Sequence, residues 1–227
     1  MASPPSRSEC SPSGPQQRGA GEERALVLAT GNRAKAREMA ALLAGLPLRV
    51  LDLGDFAHVV LPPEDETSYA DNALGKARAA AEATGLWALA DDSGIEVDAL
   101  GGAPGVLSAR FGGEGLDDEG RNREMLRALV GVPPEKRTAR YRAVIALSEP
   151  GGREAVTEGV VEGVLLDAPR GAGGFGYDPL FFYLPFNATF AEVPAEAKHT
   201  VSHRGRAMAR ARLVLAQWLG LEKARSP

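Results

Sequence analysis

Apolar residues in this chain recur at two periods, and the switches between them mark the elements. Arg24-Ala25-Leu26-Val27-Leu28-Ala29 is a short continuous run, read as a buried strand. Thr30-Gly31-Asn32 then turns the chain into a helix carrying Ala36, Met39, Ala40 and Leu43 on one face. Ser68-x-x-Asp71, a variant of the capping box, opens a second helix through Ala73, Leu74, Ala77, Ala80 and Ala81 that stops at Gly85. A strand-sized apolar run, Leu86 to Ala90, leads into Asp91-Asp92, where Ser93-Gly94 reads as a turn. Gly101 to Gly115 is a glycine-rich loop, and Asp117 caps a helix through Met125, Leu126 and Leu129 that ends at Gly131. Ala139, Tyr141, Ala143, Ile145 and Leu147 alternate as a strand. Glu154 to Leu166 adds strand residues interrupted at Gly159 and Gly163. A last helix, Gly205 to Leu219, places Met208, Ala211, Leu215 and Trp218 on one face. Helices at both ends and between, around a mixed sheet, predict an α/β architecture with no internal repeat.

Composition narrows the function. The chain has 227 residues, of which 44% are hydrophobic, enough for a substantial core. The longest apolar runs are strand-sized and the start lacks a secretory apolar segment, so a cytoplasmic protein without membrane contact is expected. Residues 1 to 24 are half Ser, Pro and Gly, with no Leu, Ile, Val or Phe, and read as a disordered extension. Cys10 is the only cysteine, which excludes an internal disulfide framework and a cysteine zinc site. A net charge of −4 gives no footprint for a nucleic-acid polymer. A single nucleotide remains open, because a pocket needs only local positive charge.

Several residues carry candidate chemistry. Asp91 and Asp92 are adjacent anions whose desolvation and repulsion oppose folding unless a cation or donors compensate. They are either metal ligands or one turn cap beside a solvated acid. Lys35 lies in the first turn of its helix, against the macrodipole. With the Gly31 turn and free backbone N–H groups it supplies the parts of a phosphate cradle, or is simply solvated. Gly171-Ala172-Gly173-Gly174-Phe175-Gly176 fits the dinucleotide pattern by spelling alone. Pro169-Arg170 precede it and Tyr177-Asp178-Pro179 close off a helix, so it reads instead as a loop presenting Phe175, Tyr177 and Asp178 to a flat heterocycle. Lys198, His203, Arg204 and Arg206 gather with Ser202 before the last helix, where an anion or a base carbonyl would suit them. Glu64, Asp65 and Glu66 form an acidic run, one member of which could join Asp92 on Mg²⁺. His58 reads as structural.

Taken together, Thr30-Gly31-Asn32-x-x-Lys35, Ser68-Tyr69-x-Asp71-Asn72-Ala73-x-x-Lys76-Ala77, Ala90-Asp91-Asp92-Ser93-Gly94, Gly101-Gly102-x-Pro104-Gly105-x-x-Ser108-Ala109-Arg110, Gly173-Gly174-Phe175-Gly176-Tyr177-Asp178-Pro179 and Ser202-His203-Arg204-Gly205 resemble the inosine triphosphate pyrophosphatase (HAM1-like) family, nearest its bacterial dITP/XTP pyrophosphatases. The resemblance implies Mg²⁺-dependent hydrolysis of ITP, dITP and XTP to monophosphate and pyrophosphate. It also implies a homodimer, and an elongated mixed sheet flanked by helices, with two lobes and the site in the cleft between them. The catalytic domain would span 25–221, followed by a tail at 222–227. Carried over by position, Thr30, Gly31, Asn32, Arg33, Ala34 and Lys35 would hold the triphosphate, with Lys76 assisting. Asp92 would be proton acceptor and metal ligand and Ser93 would touch substrate. Phe175, Gly176, Tyr177 and Asp178 would line the base pocket, and Lys198, His203 and Arg204 would act as cationic donors to base and phosphates. Pro62-Pro63-Glu64-Asp65-Glu66-Thr67 departs from the family's Glu-Glu-Thr-Gly, and Glu64 is the chosen second metal carboxylate. The rivals are a Maf-like pyrophosphatase for modified pyrimidine triphosphates, a nucleotide-binding regulatory module without hydrolysis, and a dinucleotide oxidoreductase.

Overall fold

The computed structural model describes residues 23–64 and 66–221. The remaining positions, which hold Cys10, Asp65, the tail and nearly all of the expected extension, lie outside the described residues. The elements run β1 (Arg24–Leu28), α1 (Arg33–Leu43), β2 (Leu48–Asp52), α2 (Tyr69–Thr84), β3 (Trp87–Val97), α3 (Asp118–Ala128), β4 (Thr138–Ser148), β5 (Glu154–Leu165), β6 (Phe181–Tyr183), β7 (Ala188–Thr189), α4 (Ala195–Val201) and α5 (His203–Trp218). They build one seven-stranded mixed sheet in the order β2-β1-β3-β4-β5-β6-β7. β1 is parallel to β2 and to β3, as crossover connections through α1 and α2 require, and all later pairs are antiparallel.

The helix boundaries follow side-chain chemistry. Ser68 accepts from the Asp71 amide at 3.1 Å and Gly85, at φ +68°, ends α2 in the left-handed conformation. Asp117 accepts from the Gly120 amide at 2.7 Å to start α3. α5 begins at His203, two residues before the expected Gly205, because Ser202 is its cap and bonds the Gly205 amide at 3.1 Å.

Three apolar clusters set the layers. On one face Leu26, Leu28, Trp87 and Leu89 pack under Met39 and Leu43 of α1 and Met208, Ala211 and Leu215 of α5. On the other, Ala73, Ala77, Ala80 and Ala81 of α2 meet Ala88, Ala90 and Ala146, so small side chains on both surfaces bring the helix close to the sheet. Farther along the same long strands Ile95, Val97, Tyr141 and Val161 join Met125, Leu129, Phe181 and Phe190 in the second lobe. Asp91 to Gly94 lie where one lobe gives way to the other.

Two expected breaks are absent. Ser93-Gly94 is no turn: β3 pairs with β4 without interruption from Ala88↔Ser148 to Val97↔Ala139. Gly94 serves a close approach instead, since a Cβ there would stand 2.1 Å from the Gly105 carbonyl oxygen. β5 likewise runs through Gly159 and Gly163 unbroken. At Gly159 a Cβ would fall 2.1 Å from the His203 carbonyl oxygen and 2.5 Å from the Ala207 nitrogen, so the glycine is what lets the α5 backbone sit on the sheet. Because both obstacles are backbone, Gly159→Ala is expected to destabilise the protein by about 1–3 kcal/mol. In urea unfolding the midpoint should fall with the slope unchanged, and a wild-type midpoint would contradict this packing.

Candidate active site

Alternation along β3 sends its two acids to opposite faces. Asp91 points to the α1/α5 side and is 1% exposed. Lys35 Nζ lies 2.7 Å from its Oδ1, and Arg204 donates through Nε at 3.0 Å and Nη2 at 3.3 Å. Ser93 Oγ donates to Asp91 at 3.0 Å and itself accepts from Arg204 Nη2 at 2.9 Å. Burial opposes ionisation of Asp91, but the Arg204 and Lys35 charges prevail and hold its carboxyl well below the usual carboxylate range. The pairing continues. Arg204 Nη1 donates to Glu38 at 2.6 Å, and Lys198 Nζ donates to Glu38 at 3.1 Å and to Asp178 at 2.5 Å. Lys35, Asp91, Arg204, Glu38, Lys198 and Asp178 thus form one chain of alternating charge. The anions that balance the two basic clusters are protein carboxylates.

Asp92 points to α2. Asn72 Nδ2 donates to it at 2.9 Å and Lys76 Nζ at 3.5 Å, while Lys76 also reaches Glu64 Oε1 at 2.7 Å. Burial raises the Asp92 pKa further than Lys76 and Asn72 lower it, which leaves a carboxylate of increased basicity. Lys76 stays charged because Asp92 and Glu64 outweigh its desolvation. Two carboxylates converging on one ammonium, one of them with its side chain 36% exposed, form an oxygen donor set for a hard divalent cation. Among the described residues no group of three or more His, Cys, Asp or Glu side chains is arranged to hold a metal, so an ion here would complete its shell with water and phosphate oxygens.

Between the lobes opens a cleft, and ten of the predicted residues line it: Asn32, Lys35, Ser93, Phe175, Gly176, Tyr177, Asp178, Lys198, His203 and Arg204. Lys198 Nζ stands 4.9 Å and the Arg204 guanidinium carbon 5.5 Å from the centre of the Phe175 ring. The Asp178 carboxylate closes the glycine loop by accepting from the Phe175 amide at 2.9 Å. That loop opens no helix, in line with the rejected dinucleotide pattern.

The other predicted residues sit elsewhere. Asp92, Glu64 and Lys76 form their own cluster across β3, while Thr30, Gly31, Arg33 and Ala34 lie at the start of α1 outside the lining. The backbone donors expected to be free there are partly taken: Asn32 Oδ1 accepts from the Ala34 and Lys35 amides at 2.9 and 3.1 Å, and Thr30 Oγ1 accepts from the Asn32 amide at 3.1 Å. His203 corrects its expected role as a cationic donor. It is buried, stacked 4.5 Å from the Tyr141 ring, and its Nδ1 has no partner among the described residues. Burial first, then the Arg204 and Lys198 charges, push its pKa well below the ordinary value, so the imidazole is neutral. Arg206 turns outward to the Val160 carbonyl, and His58 lies exposed beside Phe56, 3.2 Å from the Ala83 carbonyl and apart from the cleft.

Sequence reasoning missed Glu38, Asn72 and Tyr141. Glu38 lies three residues after Lys35 on one helix face, a spacing that was open to reading. Asn72 stood inside the second helix motif, and Tyr141 was taken only as a core position in an alternating strand.

The family model described as the Ham1 family matches residues 26–213. The dITP/XTP pyrophosphatase of Geobacter sulfurreducens is 54% identical over 197 residues, covering 87% of this chain and 98% of that protein. That of Desulforamulus reducens is 53% identical, covering 84% and 94%. Among solved structures, a HAM1 protein from Coxiella burnetii superposes with a TM-score of 0.75 at 39% identity, over 86% of this chain and 99% of that one.

The neutral His203 is checkable by NMR. Its ring resonances should stay at the neutral position from about pH 8 to about pH 6, whereas a midpoint near the ordinary value of about 6.5 would refute the assignment. The sign for stability follows: below about pH 6.5 the unfolded chain gains a proton that the native state refuses, so this group's contribution to stability falls as pH falls.

Proposed function

The chain belongs to the Ham1 family, and from that premise we propose that it hydrolyses non-canonical purine nucleoside triphosphates (ITP, dITP and XTP) to the monophosphate and pyrophosphate. The observation that carries the reading is the juxtaposition on β3. Asp92 with Glu64 forms an acidic pair on one face, and Lys35, Lys198 and Arg204 approach an aromatic cleft on the other. Residues 25–221 act as the catalytic domain, in the cytoplasm and as a homodimer.

Phosphates entering over α1 would draw Lys35 away from Asp91, which keeps Arg204 and therefore stays paired. Asp92 takes the proton of the water attacking the α-phosphorus, a role suited to a carboxylate whose basicity burial has raised. Lys35 and Lys76 balance charge on the departing pyrophosphate. Asp92 and Glu64 would hold Mg²⁺, which when bound supplies charge neutralisation at the phosphate oxygens and lowers the pKa of water. Ser93, its proton given to Asp91 and one lone pair to Arg204, lines the cleft with one acceptor lone pair left for the substrate.

Selection of the base is a matter of donors. The bonds described use two of the three Lys198 protons and four of the five on Arg204, leaving one on each for a ligand. Hypoxanthine and xanthine offer an acceptor at C6 where adenine offers a donor, and a buried donor left unpaired discriminates strongly. Phe175 and Tyr177 flank this site and Asp178 fixes their loop.

A pyrophosphate-release assay over canonical and deaminated nucleotides, with and without Mg²⁺, tests the reading. ITP should yield IMP and pyrophosphate in one step, and chelation of the metal should abolish release. IDP and orthophosphate as first products would indicate a phosphatase, and preference for a modified pyrimidine triphosphate would indicate the Maf-like alternative. Asp92→Asn should still bind ITP while kcat falls about 10²–10⁴-fold. Full turnover in that variant would remove Asp92 from its role.

A further inference from the structure

A second set of polar groups borders the cleft, contributed by α3. Asp118 and Arg121 line the cavity directly. Asp118 Oδ2 accepts from the Gly176 amide at 2.6 Å, and Asn122 Nδ2 donates to the Gly176 carbonyl at 2.9 Å. Asp118 and Asn122 are four residues apart on one helix face, so they grip both polar groups of a single loop residue. Arg121 extends the grip: Nη2 donates to Asp118 at 2.5 Å, while Nη1 donates to the carbonyl of Ala109 at 3.2 Å and to that of Leu116. Ala109 is itself part of the cleft wall. Three side chains therefore tie α3, the base loop and the segment after Gly105 into one unit.

The grip has a bearing on the base. Gly176 lies between Phe175, whose ring carries the Lys198 and Arg204 cations, and Tyr177, whose hydroxyl donates to the Ser108 carbonyl at 2.8 Å. Asp178 and Ala191 fasten the loop on its other side, through the Phe175 and Gly173 amides. Asn122 is only 7% exposed, and its Oδ1 has no partner among the described residues, so a polar side chain is buried here for the one bond it makes to Gly176.

We propose that Asp118, Arg121 and Asn122 are positioning residues for purine recognition: by clamping Gly176 they set the Phe175 ring relative to the Lys198 and Arg204 donors, and with it the register of the base. The proposal rests on the nucleotide reading of the cleft. It differs from a purely structural role in what it moves. A misplaced ring weakens binding and discrimination, whereas the groups around Asp92 stay where they are.

The experiment compares Asp118→Ala, Asp118→Asn and Asn122→Ala with the wild type, measuring KM and kcat for ITP and ATP, the Kd for ITP, and amide exchange at Gly176. Asp118→Ala should raise KM and Kd for ITP about tenfold with kcat within about twofold, and narrow the preference for ITP over ATP. Exchange at Gly176 should quicken while the β3 and β4 amides stay protected. Asp118→Asn keeps an acceptor for the Gly176 amide and should restore most of the affinity. Wild-type KM and preference in Asp118→Ala, unchanged exchange at Gly176, or an Asp118→Asn variant no better than the alanine would each overturn the proposal. Should Asp118→Ala fail to fold, Asn122→Ala decides by the same readouts. A wild-type protein that binds ITP without releasing pyrophosphate would refute the activity and not the clamp, which the Kd for ITP then decides in the same directions.

Discussion

Arg204 is among the largest side chains that this fold buries completely, and its pairing with Asp91 is the contact on which the arrangement of the cleft depends. A guanidinium removed from water needs most of its donors satisfied, and here β3 supplies Asp91 and Ser93 while α1 supplies Glu38. Those bonds fix the start of α5 against the sheet and against α1 at once. Losing one partner of such a buried pair leaves an uncompensated charge, a defect of about 3–5 kcal/mol, although the intact pair is worth little net. The interaction is therefore best understood as a constraint on geometry. It accounts for a glycine at position 159 of β5, because α5 held this close leaves no room for a Cβ.

The same constraint prepares the cleft electrostatically. Six side chains of alternating sign, four of them lining the cavity, neutralise one another, so the cations there stand ready beside it without carrying their full field. On the proposed reading, entry of phosphate would require only that Lys35, 17% exposed by its side chain, change partners. The buried members need not move, and dipoles already in place when charge develops are worth more than groups that must reorganise.

How far the sequence disclosed this varies by kind of interaction. Local chemistry was readable: Ser68, Gly85 and Asp117 bound their helices where the capping rules place them. The glycine loop was likewise separated from a dinucleotide site by its flanking prolines and aromatics. What depends on long-range approach was not readable. Gly94, Gly159 and Gly163 look like strand breakers in a one-dimensional pattern, yet the structure uses Gly94 and Gly159 to admit a neighbouring backbone. The resemblance grouped His203 with Lys198 and Arg204 as a cationic donor, but burial, with those two charges beside it, holds the imidazole's pKa well below its ordinary value, and a one-dimensional pattern does not show that burial. The family motifs brought most of the cleft residues to notice. They could not show that Glu38 joins Lys198 to Arg204, because that link spans elements some 160 positions apart.

The parity of β3 explains why two adjacent aspartates can take different parts. Neighbouring residues on a strand face opposite ways, so Asp91 meets the cations under the cleft and Asp92 meets Lys76, Asn72 and Glu64. Their mutual repulsion is reduced because each has its own compensating charge on its own side of the sheet. Such a division survives only if the strand cannot slip, since a shift of one residue would exchange the two acids and bring every apolar neighbour to the wrong face. Ten consecutive pairs with β4 hold the register, and the alanine layer under α2 differs so much in volume from the Trp87 and Leu89 layer that the faces are not interchangeable. Separating a carboxylate held well below the usual range from one raised above it is thus a consequence of strand geometry together with two unlike cores. The chemistry assigned to Asp92 depends on the packing at Ala88 and Ala90 as much as on its own neighbours.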